Sequence, residues 1–240
     1  PKIRIKSEKT EAVSGGTLWT FSNDLKVIYK QVKGSGRFSY ALQLGGGLSQ
    51  IGNLKEGEGG YLGDLLLVNE VAGMPGRAFA GMLAANGVSI GAKVDLNGLI
   101  LRGDAPSDKL SLVLKSLLGI ANDRNPNQEA FNYYRQCQQL QAADDPLLRI
   151  LDPGYKSTTL RKPSALTADT QKKAQKYYDD RFARVNDGVL ILCGDLADGV
   201  VVLRIAVDNL LHDSTDDFSH ASSPLKRTAG SRMTRPPVSV

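Results

Sequence analysis

Apolar and polar residues alternate along Thr17-Leu18-Trp19-Thr20-Phe21 and again along Leu25-Lys26-Val27-Ile28-Tyr29-Lys30, with the turn formers Ser22-Asn23-Asp24 between them. A period of two marks a half-buried strand, and a short polar break between two such runs marks a hairpin. Gly34-Ser35-Gly36 breaks the pattern. A third strand, Arg37 to Leu44, sets Phe38, Tyr40, Leu42 and Leu44 on one face and ends in Gly45-Gly46-Gly47. The period then changes. Leu62, Leu65, Leu66 and Val68 recur at helical spacing, which predicts a helix from Tyr61 to Met74. Pro75-Gly76 restarts the chain as a second short helix, Arg77 to Asn86, closed by Gly87 as a C′ glycine. Val88 to Lys93 and Leu99 to Gly103 read as two strands around the Asn97-Gly98 turn.

Farther on, Ser107 is a candidate N-cap for a helix whose stripe is Leu110, Val113, Leu114, Leu117 and Leu118. Asn125-Pro126-Asn127 breaks the chain and caps the next helix, Gln128 to Ala142. Asp144 to Ser164, with Pro146, Pro153-Gly154 and Pro163, reads as a looser stretch. Leu166-Thr167 opens a further helix to about Val185. Val189-Leu190-Ile191-Leu192-Cys193 is a continuous apolar run, as expected of a strand buried on both faces, and Gly194-Asp195 ends it. Val200 to Leu211 reads as helical. The order is β-β-β-α-α-β-β-α-α-loop-α-β-α. Strands in hairpins and helices in runs imply an α+β fold, a mostly antiparallel sheet with helices packed on one face.

Length and charge narrow the classes. At 240 residues the chain can bury a large core as one domain or two. Its net charge of +5 is spread along the whole sequence. The densest basic cluster, Lys226-Arg227 with Arg232 and Arg235, lies in a Ser-, Thr- and Pro-rich tail and reads as a solvated segment. No finger, helix-turn-helix or RNP pattern accompanies it, so no nucleic acid is expected. No apolar run approaches the ~20 residues of a transmembrane helix. The first residue is Pro1, so a removed leader and a cell-envelope or periplasmic location are compatible with the sequence. A zinc hydrolase needs imidazoles or thiolates converging on one metal. The two histidines, His212 and His220, sit in the polar C-terminal stretch, and Cys137 and Cys193 stand far apart, outside any CxxC pattern.

One segment carries more information than the rest. Glu56-Gly57-Glu58-Gly59-Gly60-Tyr61-Leu62-Gly63-Asp64-Leu65-Leu66-Leu67 leads from a Gly-rich loop into an apolar helix. It resembles the zinc helix of the insulinase/pitrilysin (M16) metallopeptidases, Gly-x-x-His-x-x-Glu-His followed by three apolar residues. Gly57 matches the leading glycine and Leu65-Leu66-Leu67 the apolar tail. Gly60, Gly63 and Asp64 stand where that family has its two histidines and catalytic glutamate. Further segments resemble the family in order: Phe21 to Val27, with Asp24 in place of a glycine; Leu42 to Ser49; Ala84 through Lys93; and Val189 to Leu196. The resemblance spans about residues 17–212, the length of one half-domain. It implies a third zinc ligand from a later helix, but that helix offers Gln136, Cys137, Gln138, Gln139 and Gln141, and its acid is Glu129 near the N-terminus. The resemblance also implies a second half-domain, toward which 213–240 would be a linker or tail, with 1–16 a lead-in or edge segment.

Other candidates have plainer readings. Asp64 reads as an acid favoured by a helix N-terminus, or as a residual cation contact. Glu56 and Glu58 could form an acid–base pair, but they read as a solvated loop. Gly57-Glu58-Gly59-Gly60 lacks the GK[ST] of a phosphate loop. Ser49 and Ser107 lack a GxSxG frame. Tyr133-Tyr134 and Tyr177-Tyr178 read as half-buried helix faces, and Cys193 as inert core. The expectation is therefore a catalytically inactive M16-like half-domain without zinc or other cofactor, structural or polypeptide-binding. Its partner would be a second half-domain or subunit, and extended polypeptide would add to the edge strand Val88, Ser89, Ile90, Gly91, Ala92 and Lys93. Two alternatives remain: a fragment or subunit of an active zinc peptidase whose HxxEH lies elsewhere, and a plain assembly domain.

Overall fold

The structure, a computed structural model, describes residues 4–141 and 161–196. The helix expected at Val200 to Leu211, the tail from Asp213, and both histidines lie outside the described residues. Among the described residues, nine strands and five helices follow in chain order. The first four strands are β1 (Ile5–Thr10), β2 (Thr17–Phe21), β3 (Lys26–Gln31) and β4 (Arg37–Gly45). Next come α1 (Leu62–Val68), β5 (Glu70–Val71), α2 (Gly76–Ala85), β6 (Gly91–Val94) and β7 (Gly98–Pro106). The chain continues with α3 (Leu110–Asn122), β8 (Arg124–Asn125), α4 (Gln128–Gln141), α5 (Ala168–Phe182) and β9 (Val189–Gly194).

Seven strands form one sheet in the order β1-β2-β3-β9-β4-β7-β6. All neighbours are antiparallel except β3 and β9. This is the expected α+β arrangement, with one parallel pair where the last described strand inserts between the first hairpin and β4. The side chains sort by the period of two. Phe38, Tyr40, Leu42 and Leu44 of β4 are buried in one core with Leu99 and Leu101 of β7, Leu190 and Leu192 of β9, and Trp19, Phe21 and Val27 of the hairpin. The helices complete that core from the same side through Leu62, Leu65, Leu66, Val113, Leu114, Phe131 and Tyr178. The opposite face of the sheet keeps partial exposure: Ile28, Ala41, Ile100, Val189 and Ile191 are all intermediate. Thus β9 is apolar throughout but not buried on both faces, a correction to the reading of its continuous run.

Several boundaries differ from the sequence expectations, each for a local reason. The charged N-terminal stretch includes an edge strand, β1, paired with β2 and interrupted by a register shift between Ile5 and Ser7. The helix expected to reach Met74 stops at Val68. Asn69 turns extended (φ −62°, ψ 159°), Glu70–Val71 pair with Arg124–Asn125, and Gly76 lies against the Leu67 and Asn69 carbonyls, where a Cβ would not fit. The strand expected from Val88 begins at Gly91. Val88 is used first to close α2: its N–H bonds to the Leu83 carbonyl (3.0 Å) while Gly87 N–H bonds to Ala84 (2.9 Å), a Schellman ending with Gly87 at φ 70°. Ser107 does not cap α3; it lies in a single tight turn, Ser107–Lys109, that leads into the helix without a side-chain cap. Asn127 and Thr167 do cap α4 and α5, through bonds to Ala130 N–H (2.9 Å) and Thr170 N–H (3.4 Å). Asp24, where the M16 pattern has glycine, takes φ 65°, a left-handed conformation that Asp tolerates better than most residues.

Leu114, on the apolar stripe of α3, is 2% exposed. Leu114→Ala should cost about 2–5 kcal/mol in a denaturation measurement; a loss below about half a kcal/mol would show that α3 does not pack as described.

Candidate functional site

The Gly-rich loop enters α1 through a turn at Gly59–Tyr61. Its two glutamates part company. Glu56 stays outside, 3.7 Å from Lys162. Glu58 turns inward and is 1% exposed, which corrects its reading as part of a solvated loop. Its carboxylate accepts hydrogen bonds from Lys173 Nζ (2.9 and 3.1 Å), Thr170 Oγ1 (3.0 Å) and Lys55 N–H (2.6 Å). A buried carboxylate is tolerated only when paired and fully bonded. Lys173 meets that need: burial works against its charge, but hydrogen bonds to Glu58 and Asp169 raise its pKa above the ordinary lysine value. The pair ties the loop to α5. Gly57, at φ 82°, lets the loop pass against Lys162, and Lys162 N–H bonds to its carbonyl (3.2 Å).

One helical turn further lie the positions that the zinc pattern would fill. Gly60 is partly exposed and Gly63 is buried. A Cβ on Gly63 would collide with the Ala92 carbonyl oxygen and lie 3.0 Å from Lys93 Cα. The reason is register. Ser89 N–H bonds to Asp104 and Asp95 N–H to Gly98 across the β6–β7 pair, so the odd-numbered residues face β7 and the backbone of Ile90, Ala92 and Val94 faces the free edge. Gly63 of α1 sits on that edge at Ala92. The space a catalytic side chain would need is filled by strand backbone.

Asp64 is bound on its outer oxygen. Tyr134 Oη donates to Oδ2 at 2.6 Å, and Arg161 pairs with the same oxygen at 2.8 Å. The Arg161 guanidinium also lies over the Tyr61 ring (5.5 Å), and Tyr61 meets Tyr134 edge to face. Burial raises the pKa of the Tyr134 phenol, with the hydrogen bond to Asp64 and its charge adding to the shift. Burial opposes the Arg161 charge, but Asp64 outweighs it and the net shift is upward. The cluster is a phenol–carboxylate–guanidinium bridge joining α1, α4 and the segment before α5.

The residues present do not fit zinc. Asp64 is already neutralised by Arg161, Gly60 and Gly63 carry no ligand, and α4 sends a phenol where a carboxylate would be needed. Gln136 and Gln139 of α4 are exposed. Among the described residues no group of three His, Cys, Asp or Glu side chains is gathered for a metal. The remaining candidates are dispersed. Ser49 Oγ bonds to the Leu96 carbonyl (2.7 Å). Tyr177 and Tyr178 bond to the carbonyls of Gly46 and Leu62, and Cys193 is partly exposed rather than core. The sequence reading missed Lys173 and Arg161. Neither has a local signal, because each meets its partner only through the packing of distant segments. Tyr134 was detectable only as part of a stripe, three residues after Phe131.

No protein-family model matches the sequence, and comparison with curated proteins finds no significant match. Solved structures are. The periplasmic protease PqqL of Escherichia coli superposes with a TM-score of 0.67 at 17% identity, over 90% of this chain and 25% of PqqL. The separately solved first half of PqqL gives a TM-score of 0.68 at 14% identity, over 88% of this chain and 48% of that one. A peptidase M16 inactive domain from Pseudomonas fluorescens gives a TM-score of 0.61 at 17% identity, over 80% and 49%. The chain therefore has the fold of an M16 peptidase half-domain and spans a quarter to a half of the length of these proteins.

Three substitutions test the site's construction. Gly63→Ala should destabilise by about 1–3 kcal/mol, since the added methyl meets backbone that cannot rotate away; an unchanged unfolding midpoint would show that α1 and β6 are not in contact. Glu58→Ala should cost about 3 kcal/mol by stranding a buried ammonium. Asp169, which is 57% exposed, binds the same Lys173, yet Asp169→Ala should cost clearly less than Glu58→Ala, because solvent screens it. Equal losses from the two would contradict the buried-pair reading.

Proposed function

We propose that this chain is a non-hydrolytic M16-type half-domain that holds polypeptide, or supports a second half-domain that does, without cleaving peptide bonds itself. The observation that carries this reading is at Gly63. The position matching the general base has no side chain and is packed on the Ala92 backbone, so a single substitution does not rebuild the base. The neighbouring ligand position, Asp64, already has a guanidinium as its cation. Zinc peptidases use the metal to polarise the carbonyl and activate water, and this cluster offers neither function. A protease in such a fold would need its zinc motif in another half.

Polypeptide would engage the free edge at Val88–Lys93 by strand addition, where main-chain hydrogen bonds supply affinity without a metal. The Ile90 backbone faces that edge, while Ala92 is screened by Gly63. A second reading is favoured by coverage: a chain matching 25% of a protease is compatible with being one non-catalytic part of a working peptidase. The two readings share the inert site described above and differ in what else the polypeptide or complex contains. In either reading residues 213–240 would form the link toward that second half.

The purified chain should bind no stoichiometric zinc and should leave an unstructured protein such as casein intact. Elemental analysis and gel-based proteolysis check this directly. One zinc held per chain, together with cleavage that a chelator abolishes, would overturn the proposal.

A further inference from the structure

The tight turn Leu48–Gln50 and the residues after it, as far as Asn53, run beside α5 and leave a cleft of about 320 Å³ between them. That volume lies at the lower end of the range of about 300–1,000 Å³ for small-ligand sites. Helical spacing builds one wall. Lys173, Lys176, Tyr177 and Arg181 stand at three- and four-residue spacings and so share one face of α5. Gln50, Ile51 and Asn53 close the other side. The cleft shares no residue with the Gly60, Gly63 and Asp64 positions, so its role is separate from the question of peptide hydrolysis.

The cations of this wall differ in how they are held. The Lys173 side chain is 9% exposed and is neutralised by Glu58 and Asp169. Arg181 is held by neutral groups instead. Its Nη1 donates to the Gly45 carbonyl (3.1 Å) and to Gln50 Oε1 (3.2 Å), and its guanidinium lies 6.0 Å from the centre of the Tyr177 ring. Tyr177 is fixed in turn by donating to the Gly46 carbonyl (2.9 Å). Arg181 Nε is shut off from solvent and has no hydrogen-bond partner among the described residues. A native structure seldom leaves such a donor without an acceptor, and the usual remedy is a bound ion or water. Lys176 is exposed on the same wall. The ion pairs of α5 use Asp169, Lys173 and Asp179; among the described residues none joins Lys176 or Arg181 to an acid. Asp180 is the carboxylate on the lining, and the unpaired cations outnumber it.

We propose that this cleft binds a small oxyanion, a phosphate or a carboxylate group, between Arg181 and Lys176. A guanidinium already held in place loses little freedom on binding, and its planar fork matches the oxygens of such a group. Lys176 adds a flexible point charge. Gln50 has given its oxygen to Arg181, which leaves its amide NH2 to donate. A water molecule would satisfy Arg181 Nε but leave both charges uncompensated. The lining joins α5 to the loop that leads into α1, so an occupant braces the two together, and binding is linked to folding stability.

The test titrates the full chain with sodium phosphate and, separately, with sodium succinate in a calorimeter, with sodium chloride at equal ionic strength as the reference. Phosphate, succinate or both should saturate one site with Kd on the order of 1 mM or tighter, and which of them binds identifies the group. The anion that binds should also raise the unfolding midpoint beyond the rise in chloride. Lys176→Gln changes an exposed side chain and should weaken binding about tenfold. Lys9→Gln removes an equal charge from β1 and should change it by less than about twofold. Arg181→Gln should abolish binding. Arg181 also holds Gly45 and Gln50, so if that variant unfolds, the comparison of Lys176→Gln with Lys9→Gln decides. Three results would overturn the proposal: no heat beyond that of chloride, saturation only far above that range, or equal losses from Lys176→Gln and Lys9→Gln. The first two leave water as the partner of Arg181 Nε, and the third leaves only diffuse surface charge.

Discussion

The contact of α1 with the edge strand β6 governs the character of this domain. Gly63 rests on the Ala92 carbonyl because it has no Cβ, and that approach fixes where the helix sits relative to the sheet. Tyr61, Leu62, Leu65 and Leu66 are then carried into the core, and the Tyr178 hydroxyl reaches the Leu62 carbonyl from α5. Close packing makes such an interface rigid, since an added methyl has no void to enter. The same contact removes the room in which a catalytic side chain would work. The glycine that permits the close approach of helix and strand also leaves position 63 without a side chain.

Two ion pairs organise the polar surroundings, and they differ in kind. Glu58 and Lys173 are buried and exchange hydrogen bonds with Thr170 and Asp169, so they join loop and helix as one unit. Asp64 and Arg161 are half-exposed, and their net energy is smaller because solvent screens them. Their effect is on composition of the site. A guanidinium supplies the positive charge beside the carboxylate, and Tyr134 takes a second coordination direction of Oδ2. A metal ion bound through Oδ2 would have to displace these groups.

The two faces of the sheet divide the work. One is sealed by helices and supplies the core. The other carries aliphatic residues of intermediate burial at its centre and exposed lysine and arginine at its margins. Placing β9 between β3 and β4 creates this surface, because Val189 and Ile191 bridge the row from Ile28 to Ala41.

Much of this was legible in the residues themselves. Alternation in Thr17–Phe21 and Arg37–Leu44 and the stripe of Leu110, Val113, Leu114 and Leu117 determined strands, helix and core, because burial periodicity follows from backbone geometry. Asn97-Gly98 and Gly87 marked their turns through conformations that only a few residues adopt, and Gly57 to Leu67 marked the loop that leads into α1. Three things were decided only by the tertiary structure. The end of α1 at Val68 depends on the pairing of β5 with β8, far apart in sequence. The inward turn of Glu58 depends on Lys173, which a loop and a helix bring to it. The division of β9 into a buried and a partly exposed side depends on inserting it beside β3, since a continuous apolar run does not say which of its sides is covered. Local pattern records what each segment prefers, whereas partners separated by a hundred residues are fixed only when the whole chain packs.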